Sequence, residues 1–355
     1  MTAGRDRPAL DVLVVGGGQA GLAMGYHLTQ RGLRFQIVES GPELGSAWRS
    51  RWDSLRLFTP GRYDNLPGLP FPASADSYPG KDDVADYLAA YAAEFDLPVC
   101  LDTPVTSLAR AGDGSYLVKA GPDALEAGQV VVATGAFQQP FTPPVAAELA
   151  PDVHQLHSAD YRRPAQLPPG RVLVVGAANS GCQIALELSA TRTVDLAVGT
   201  RIPAVPQRPL GRDVWWWGSR LRLDRVTAAS RLGQRLAGRD QIVGTGPKQL
   251  ARRHDITIRP RVQAVAGRSI TFADGTRADY DAVVWATGFN TDDSWVDVPD
   301  VTDERGRLRQ ARGITPSPGL YTLGRIWQHT RGSALLGWVG DDAAFVAEHI
   351  AARGR

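Results

Sequence analysis

Two glycine-rich turns, each set between an apolar run and a helical pattern, constrain this chain more than any other feature. Leu13 to Val15 leads into Gly16-Gly17-Gly18-Gln19-Ala20-Gly21, which matches GxGxxG, and Leu22, Tyr26 and Leu28 follow at helical spacing. After Gly32, the run Phe35 to Val38 reads as the next strand and ends at Glu39, 23 residues after Gly16. A parallel pair joined by a helix must cross over right-handedly. Residues 172–175 start a second unit of the same kind, through Gly176-Ala177-Ala178-Asn179-Ser180-Gly181, the helix Cys182 to Leu188 and the strand Val194 to Val198. Two such units predict an α/β chain with two Rossmann-like dinucleotide-binding domains.

Each turn residue has a physical task. Gly16 permits the tight turn, Gly18 lets backbone approach a pyrophosphate, and Gly21 lets the helix sit close to the strand. The helix opening at Gln19 and Ala20 supplies N–H donors and a partial positive charge to phosphates. Glu39, with Ser40 beside it, is placed to accept hydrogen bonds from a ribose 2′-hydroxyl and to repel a 2′-phosphate. The second turn, with Asn179 and Ser180 before Gly181, departs from the pattern at Ala178, whose methyl pushes a pyrophosphate slightly outward. After its second strand come Gly199-Thr200-Arg201, with no acid. A guanidinium at Arg201 suits a 2′-phosphate, which favours NADPH over NADH; a solvated surface arginine is the alternative. Opposite ribose preferences pair FAD with NADPH, hydride passing from nicotinamide to flavin.

Composition excludes other classes. Lys plus Arg total 39 and Asp plus Glu 37, a net charge of +2, which gives no nucleic-acid footprint and no electrostatic membrane docking. No apolar run approaches the ~18 residues of a transmembrane segment. Arg5 and Arg7 precede an apolar stretch, but Asp11 interrupts it, so a first strand is expected rather than a signal peptide. Cys100 and Cys182 form neither a CxxC nor a metal cluster, which fits a reducing, cytoplasmic setting. Residues 59–80 are dense in Pro and Gly yet carry Tyr63, Phe71 and Tyr78, so an ordered irregular loop is expected. Val84, Tyr87, Leu88, Tyr91 and Phe95 form a core stripe of a helix. Asp274-Gly275 marks a hairpin, and a last helix is expected over 341–352.

Taken together these segments resemble the class B flavin-dependent monooxygenases, most closely the short bacterial and plant-type flavin-containing members. The matching residues are Gly16 to Gly21 with Glu39, Gly45-Ser46-Ala47-Trp48, Ala133-Thr134-Gly135, Gly176 to Gly181, Ala286-Thr287-Gly288-Phe289, Gly319-Leu320-Tyr321 with Gly324, and Arg331-Gly332 with Gly337 and Asp341. The resemblance implies a first FAD segment at 1–162, an NADPH domain inserted at 163–287, and a second FAD segment at 288–355. It places Trp48, Val105, Ala133, Thr134, Gly135, Thr287, Gly288, Gly324 and Asp341 among the cofactor-binding residues. It implies a monooxygenase that uses NADPH and dioxygen (O2) to oxygenate a small organic substrate through a C4a-(hydro)peroxyflavin.

Two departures qualify that mechanism. His157 and Tyr161 keep the end of the family's FxGxxxHxxx(Y/W) signature, but Pro151 and Val153 replace its Phe and Gly. Phe58 stands where many members carry an asparagine near the flavin. A flavin reductase or oxidase that passes electrons to a quinone, a protein or O2 is therefore the alternative. Arg56, Gln328 and His329 are the candidates for a role at the reacting centre, each against a structural reading of similar weight. His157 with Tyr161 reads as an inter-domain linker element. Trp215-Trp216-Trp217 reads as core packing with at least one exposed indole, or as a substrate lid. Residues 219–239 read as an amphipathic solvated helix, with a homodimer face or a membrane-surface helix as alternatives.

Overall fold

The computed structural model describes residues 10–237 and 241–353; Arg5, Arg7 and the end of the 219–239 stretch lie outside the described residues. Strand Leu10–Val15 is the centre of an eight-stranded sheet, and its Val12, Leu13 and Val14 are fully buried. It pairs in parallel with Phe35–Val38 on one side and Asp123–Val132 on the other. Val99–Cys100 extends the first flank, and Leu320–Thr322, near the end of the chain, adds in parallel to Asp123–Val132. Asp123–Val132 also closes an antiparallel meander with Val105–Arg110 and Tyr116–Ala120.

The second sheet repeats the first in its parallel order. Arg171–Val175 is central, flanked by Thr193–Ala197 then Thr257–Arg259 on one side, and Ala282–Trp285 then His154–His157 on the other. All five strands are parallel, and the three inner ones are buried, which is why those read as short, largely apolar runs. The edge strand His154–His157 joins this sheet although it precedes the Pro-rich stretch 163–169. An antiparallel ribbon, Gln139–Pro140 against Phe289–Asn290, lies beside both passages of the chain between the sheets.

Both turns are built alike. Gly16 and Gly176 take φ of 110° and 107°, and a methyl on either would meet the carbonyl oxygen of Ala133 or Ala286 at 2.5 and 2.2 Å. The segments that follow Asp123–Val132 and Ala282–Trp285 thus pass directly behind the turns. Helices Gln19–Thr29 and Asn179–Ser189 follow. Their Gly21 and Gly181 lie so close to the turn that an added Cβ would stand 1.8 Å from the carbonyl oxygen of Gly16 or Gly176.

The loop at 59–80 is ordered because helix Lys81–Glu94 holds it. Val84, Tyr87, Leu88 and Tyr91 are buried, and Phe95 is half-buried at the helix end. The Tyr87 hydroxyl accepts from Leu66 N and donates to Leu69 O, both at 2.7 Å, and the Tyr91 hydroxyl donates to Pro67 O at 2.6 Å. The hairpin forms at Ser269–Phe272 and Arg277–Asp279, and the last helix spans Val339–Arg353. The single helix expected over 219–239 is not formed. Helix Val214–Arg220 stops where Arg222 turns left-handed (φ 56°), and Arg231–Ala237 starts anew with Gly233 pressed on the Thr227 carbonyl.

Gly181→Ala tests the helix-on-turn contact. Overpacking against backbone, which cannot swing aside, is expected to cost about 1–3 kcal/mol or more. A urea midpoint equal to that of the parent protein would contradict it.

Candidate active site between the glycine-rich turns

At the first turn the acid at the strand end is held by backbone. Glu39 accepts from Gly17 N at 2.6 Å through one carboxylate oxygen and from Gly41 N at 2.9 Å through the other. Gly18, which precedes the helix, has nothing within 4 Å of an added Cβ, so the turn is bare where a pyrophosphate would lie. Gln19 fixes the wall beside it, accepting from Trp48 Nε1 at 3.1 Å and donating to Ala334 O at 3.1 Å.

A cavity of about 550 Å³ runs from this turn to the start of the second helix. It brings together Gly16, Gly18, Gln19, Ala20, Glu39, Ser40, Trp48, Val105, Ala133, Thr134, Gly135 and Gly324 from the first set of expected residues, and Asn179 and Ser180 from the second. Arg56 also lines it, beside Gln183, whose amide exchanges hydrogen bonds with the Arg56 backbone at 3.5 and 3.2 Å. The wall between the turns is largely apolar: Trp52, Leu55, Leu57, Phe58 and Leu335. Phe58 stacks on Trp215 with ring centroids 5.9 Å apart, and Trp215 Nε1 donates to Phe58 O at 2.9 Å. Trp215 is buried and backs the wall behind Phe58, while Trp216 and Trp217, which pack on each other, are half-buried, so the exposed indole expected from the sequence is not found.

Other expected residues lie apart from the cavity. Gly21, Gly176 and Gly181 serve packing behind the turns. Thr200 and Arg201 are exposed beyond the second sheet, with Arg261 alongside, donating to Gly199 O at 3.3 Å. Thr287 donates to Phe141 O, and Gly288 O meets His157 Nε2 at 3.1 Å, so His157 ties the strand edge to the passage between sheets. Gln328 is buried under Gly313, while the His329 carbonyl accepts from Ala228 N at 2.7 Å. Neither lines the cavity. Burial, reinforced by Arg312, holds the His329 imidazole below its ordinary range. Asp341 is exposed in the first turn of the last helix, and its buried neighbour Asp342 reaches Arg312 at 3.5 Å.

Sequence reasoning passed over Arg51, Thr59, Phe137, Gln183 and Phe289 as wall residues. Thr59 carries a buried acid behind it: its hydroxyl donates to Asp64 Oδ1 at 2.5 Å, and Asp64 Oδ2 has no partner among the described residues. Burial pushes the Asp64 carboxyl up to about 7, with the Thr59 bond opposing.

Two glycine-turn cradles opening on one largely apolar cavity define a class, the oxidoreductases with two dinucleotide-binding domains. The family model described as pyridine nucleotide-disulphide oxidoreductase matches residues 13–205. A protein named uncharacterized oxidoreductase CzcO-like, from Geobacillus kaustophilus, is 45% identical over 96% of this chain and 98% of its own length. Indole-3-pyruvate monooxygenase YUCCA4 of Oryza sativa subsp. japonica is 27% identical over 88% of this chain and 82% of its own. The solved structure of the flavin-containing monooxygenase from Stenotrophomonas maltophilia superposes with a TM-score of 0.83 at 30% identity, covering 98% of this chain and all of that one. The chain belongs to the pyridine nucleotide-disulphide oxidoreductase family and is class B flavin-monooxygenase-like. It is an oxidoreductase with two dinucleotide-binding domains.

Two outcomes follow from this geometry. Glu39→Ala removes the acceptor at the strand end and is expected to reduce the flavin retained on purification, and unchanged flavin content would contradict that placement. Asp64 titrates near 3.8 when unfolded and at about 7 when folded, so the folded protein holds the extra proton between. Stability should therefore fall as pH rises across that interval, by at most about 1.4 kcal/mol per pH unit. Asp64→Asn should flatten that slope in urea titrations at several pH values; an unaltered slope would contradict the assignment.

Proposed function

We propose that this chain is an NADPH- and O2-dependent FAD monooxygenase acting on a small organic substrate. The observation that carries the proposal is one cavity walled by the openings of both turn helices, Gly18 to Ala20 and Asn179 to Ser180. FAD in the first cradle would supply hydride acceptance and oxygen chemistry. Gly16, Gly18, Gln19 and Ala20 would hold its diphosphate and Glu39 its ribose, with Trp48 and Gly324 beside the ring system. Asn179 and Ser180 would hold the diphosphate of NADPH, and Arg201, with Arg261, its 2′-phosphate. We place the passage between domains at the ribbon Gln139–Pro140 and Phe289–Asn290, so that strand His154–His157 goes with the NADPH domain.

The walls support a dry reaction space. Trp48, Trp52, Leu55, Leu57, Phe58 and Leu335 leave few polar groups near the centre, which excludes water from the transferred hydride and from any reactive oxygen species. The same walls suit an apolar or aromatic substrate. The YUCCA relatives are named as indole-3-pyruvate monooxygenases, and the Stenotrophomonas protein is a flavin-containing monooxygenase. A second reading, electron transfer without oxygenation, is favoured by one observation: the Phe58 side chain lines the cavity and offers no amide there.

Oxygen bookkeeping separates the two. An oxygenation consumes one NADPH, one proton and one O2 per substrate, placing one oxygen atom in the product and the other in water. With indole-3-pyruvate, simple amines and ketones as probes, an accepted substrate should bring label from 18O2 into the product and suppress hydrogen peroxide. Peroxide equal to NADPH consumed with every probe would favour the second reading. Separately, Arg201→Ala should weaken NADPH by about tenfold, ~1.4 kcal/mol, the scale of one charge-assisted hydrogen bond, and leave NADH nearly unaffected. Equal loss for both nucleotides would sink the 2′-phosphate role.

A further inference from the structure

Two neighbouring arginines on one short segment have opposite surroundings. Arg49, in helix Ser46–Arg49, meets Asp86 at 2.5 Å, Glu43 at 3.3 Å and Asp82 at 3.6 Å. Arg51, two residues on, lines the cavity and has no carboxylate in salt-bridge reach among the described residues. Its Nε donates to Ala47 O at 3.2 Å, and its guanidinium carbon lies 5.2 Å from the centroid of the Phe289 ring and 6.0 Å from that of Phe137. These two rings follow the two segments that pass behind the glycine-rich turns. Both also line the cavity, so Arg51 stands where the domains meet. The other cavity-lining cation, Arg56, reaches Asp83 at 4.0 Å and points largely to solvent.

A half-buried guanidinium keeps its proton and needs compensation. One backbone carbonyl and two ring faces supply part of it. Arg162, the charged neighbour, has the same sign, and burial together with that charge holds Arg51 below the ordinary arginine range. The terminal Nη donors of Arg51 make no hydrogen bond to the described residues. A planar fork of free donors matches the oxygens of a phosphate better than any other group the cradles are built to receive.

We propose that Arg51 is an oxyanion anchor of the inter-domain cleft, binding the diphosphate of a dinucleotide seated in one of the two cradles. The proposal rests on the dinucleotide reading above. It adds a full charge from the first domain to the partial charges of the two helix openings.

The test uses the full chain and two variants, Arg51→Met, which keeps the apolar stem, and Arg51→Lys, which keeps the charge without the fork. Flavin retention, NADP⁺ affinity by flavin fluorescence, competition by inorganic pyrophosphate, and thermal stability without dinucleotide are measured for each. Arg51→Met should weaken one dinucleotide by about tenfold or more, reduce competition by pyrophosphate, and leave the dinucleotide-free melting temperature unchanged or higher. Loss confined to NADP⁺ assigns the anchor to the nicotinamide cofactor, and loss of FAD assigns it to the flavin. Affinities within twofold of the parent, or a lower melting temperature with affinities intact, would overturn the proposal in favour of ring packing. If Arg51→Met does not fold, Arg51→Lys decides: weakened binding supports the fork, and parental affinity overturns it. A parent protein that binds neither dinucleotide defeats the underlying reading as well, which separates the two failures.

Discussion

The structure depends on one close approach made twice: a helix set so tightly on the turn before it that a single methyl would not fit. Gly21 on Gly16 and Gly181 on Gly176 leave 1.8 Å where a Cβ would be. That contact aims the first backbone N–H groups of each helix past the end of its central strand. In open parallel sheets this is where ligands bind, because the strand order reverses there and the loops part. The strand after the next crossover then passes behind the turn, with Ala133 N donating to Val15 O and Ala286 N to Val175 O, both at 2.8 Å. The two cradles are thus the same local solution, and differ mainly at the acid or arginine that follows the second strand.

What makes two cradles into one site is the coupling of the domains. Trp48 and Leu57 pack against the apolar cores of both domains. The second domain also reaches across: Gln207 Nε2 and Trp215 Nε1 both donate to Phe58 O at 2.9 Å, the Tyr78 hydroxyl donates to Asp213 at 2.7 Å, and Ala228 N donates to His329 O at 2.7 Å. Trp215 lies 5.0 Å from Trp338, which stacks on Tyr63. These bonds fix the cavity between the helix openings, and the aromatic closure keeps its middle apolar. The stretch that carries them, 207–228, is built of short helical pieces broken at Leu210 and Arg222, both left-handed, so its shape follows the surface it crosses.

Residues with a local task were legible in the sequence, and residues with a distant partner were not. The glycines, Glu39 and the strand runs announce themselves because turn geometry and burial act within a few positions. The core stripe Val84 to Tyr91 is equally local. The pairing of Leu320–Thr322 with a strand 190 residues earlier gave no such signal beyond the family resemblance. Arg51 looked like any arginine near a tryptophan. Its significance lies in Phe137 and Phe289, which come from two separate passages of the chain. Gln328 and His329 show the converse: polar residues in a glycine-rich context suggest a site, yet the Gln328 amide lies against Gly313, the His329 backbone carbonyl accepts from Ala228 N, and neither residue lines the cavity. The helix expected over 219–239 failed because amphipathic spacing does not reveal the left-handed Arg222 or the contact of Gly233 with Thr227.

The most direct measurement is anaerobic rapid mixing of the FAD-loaded protein with NADPH, and with NADPH deuterated at the transferred position, while the flavin absorbance is followed. If the two cradles open on one reaction space, the oxidised flavin band bleaches in a single turnover, and deuterium slows it. A bound flavin that dithionite bleaches but NADPH leaves oxidised would contradict the shared cavity as a hydride-transfer site.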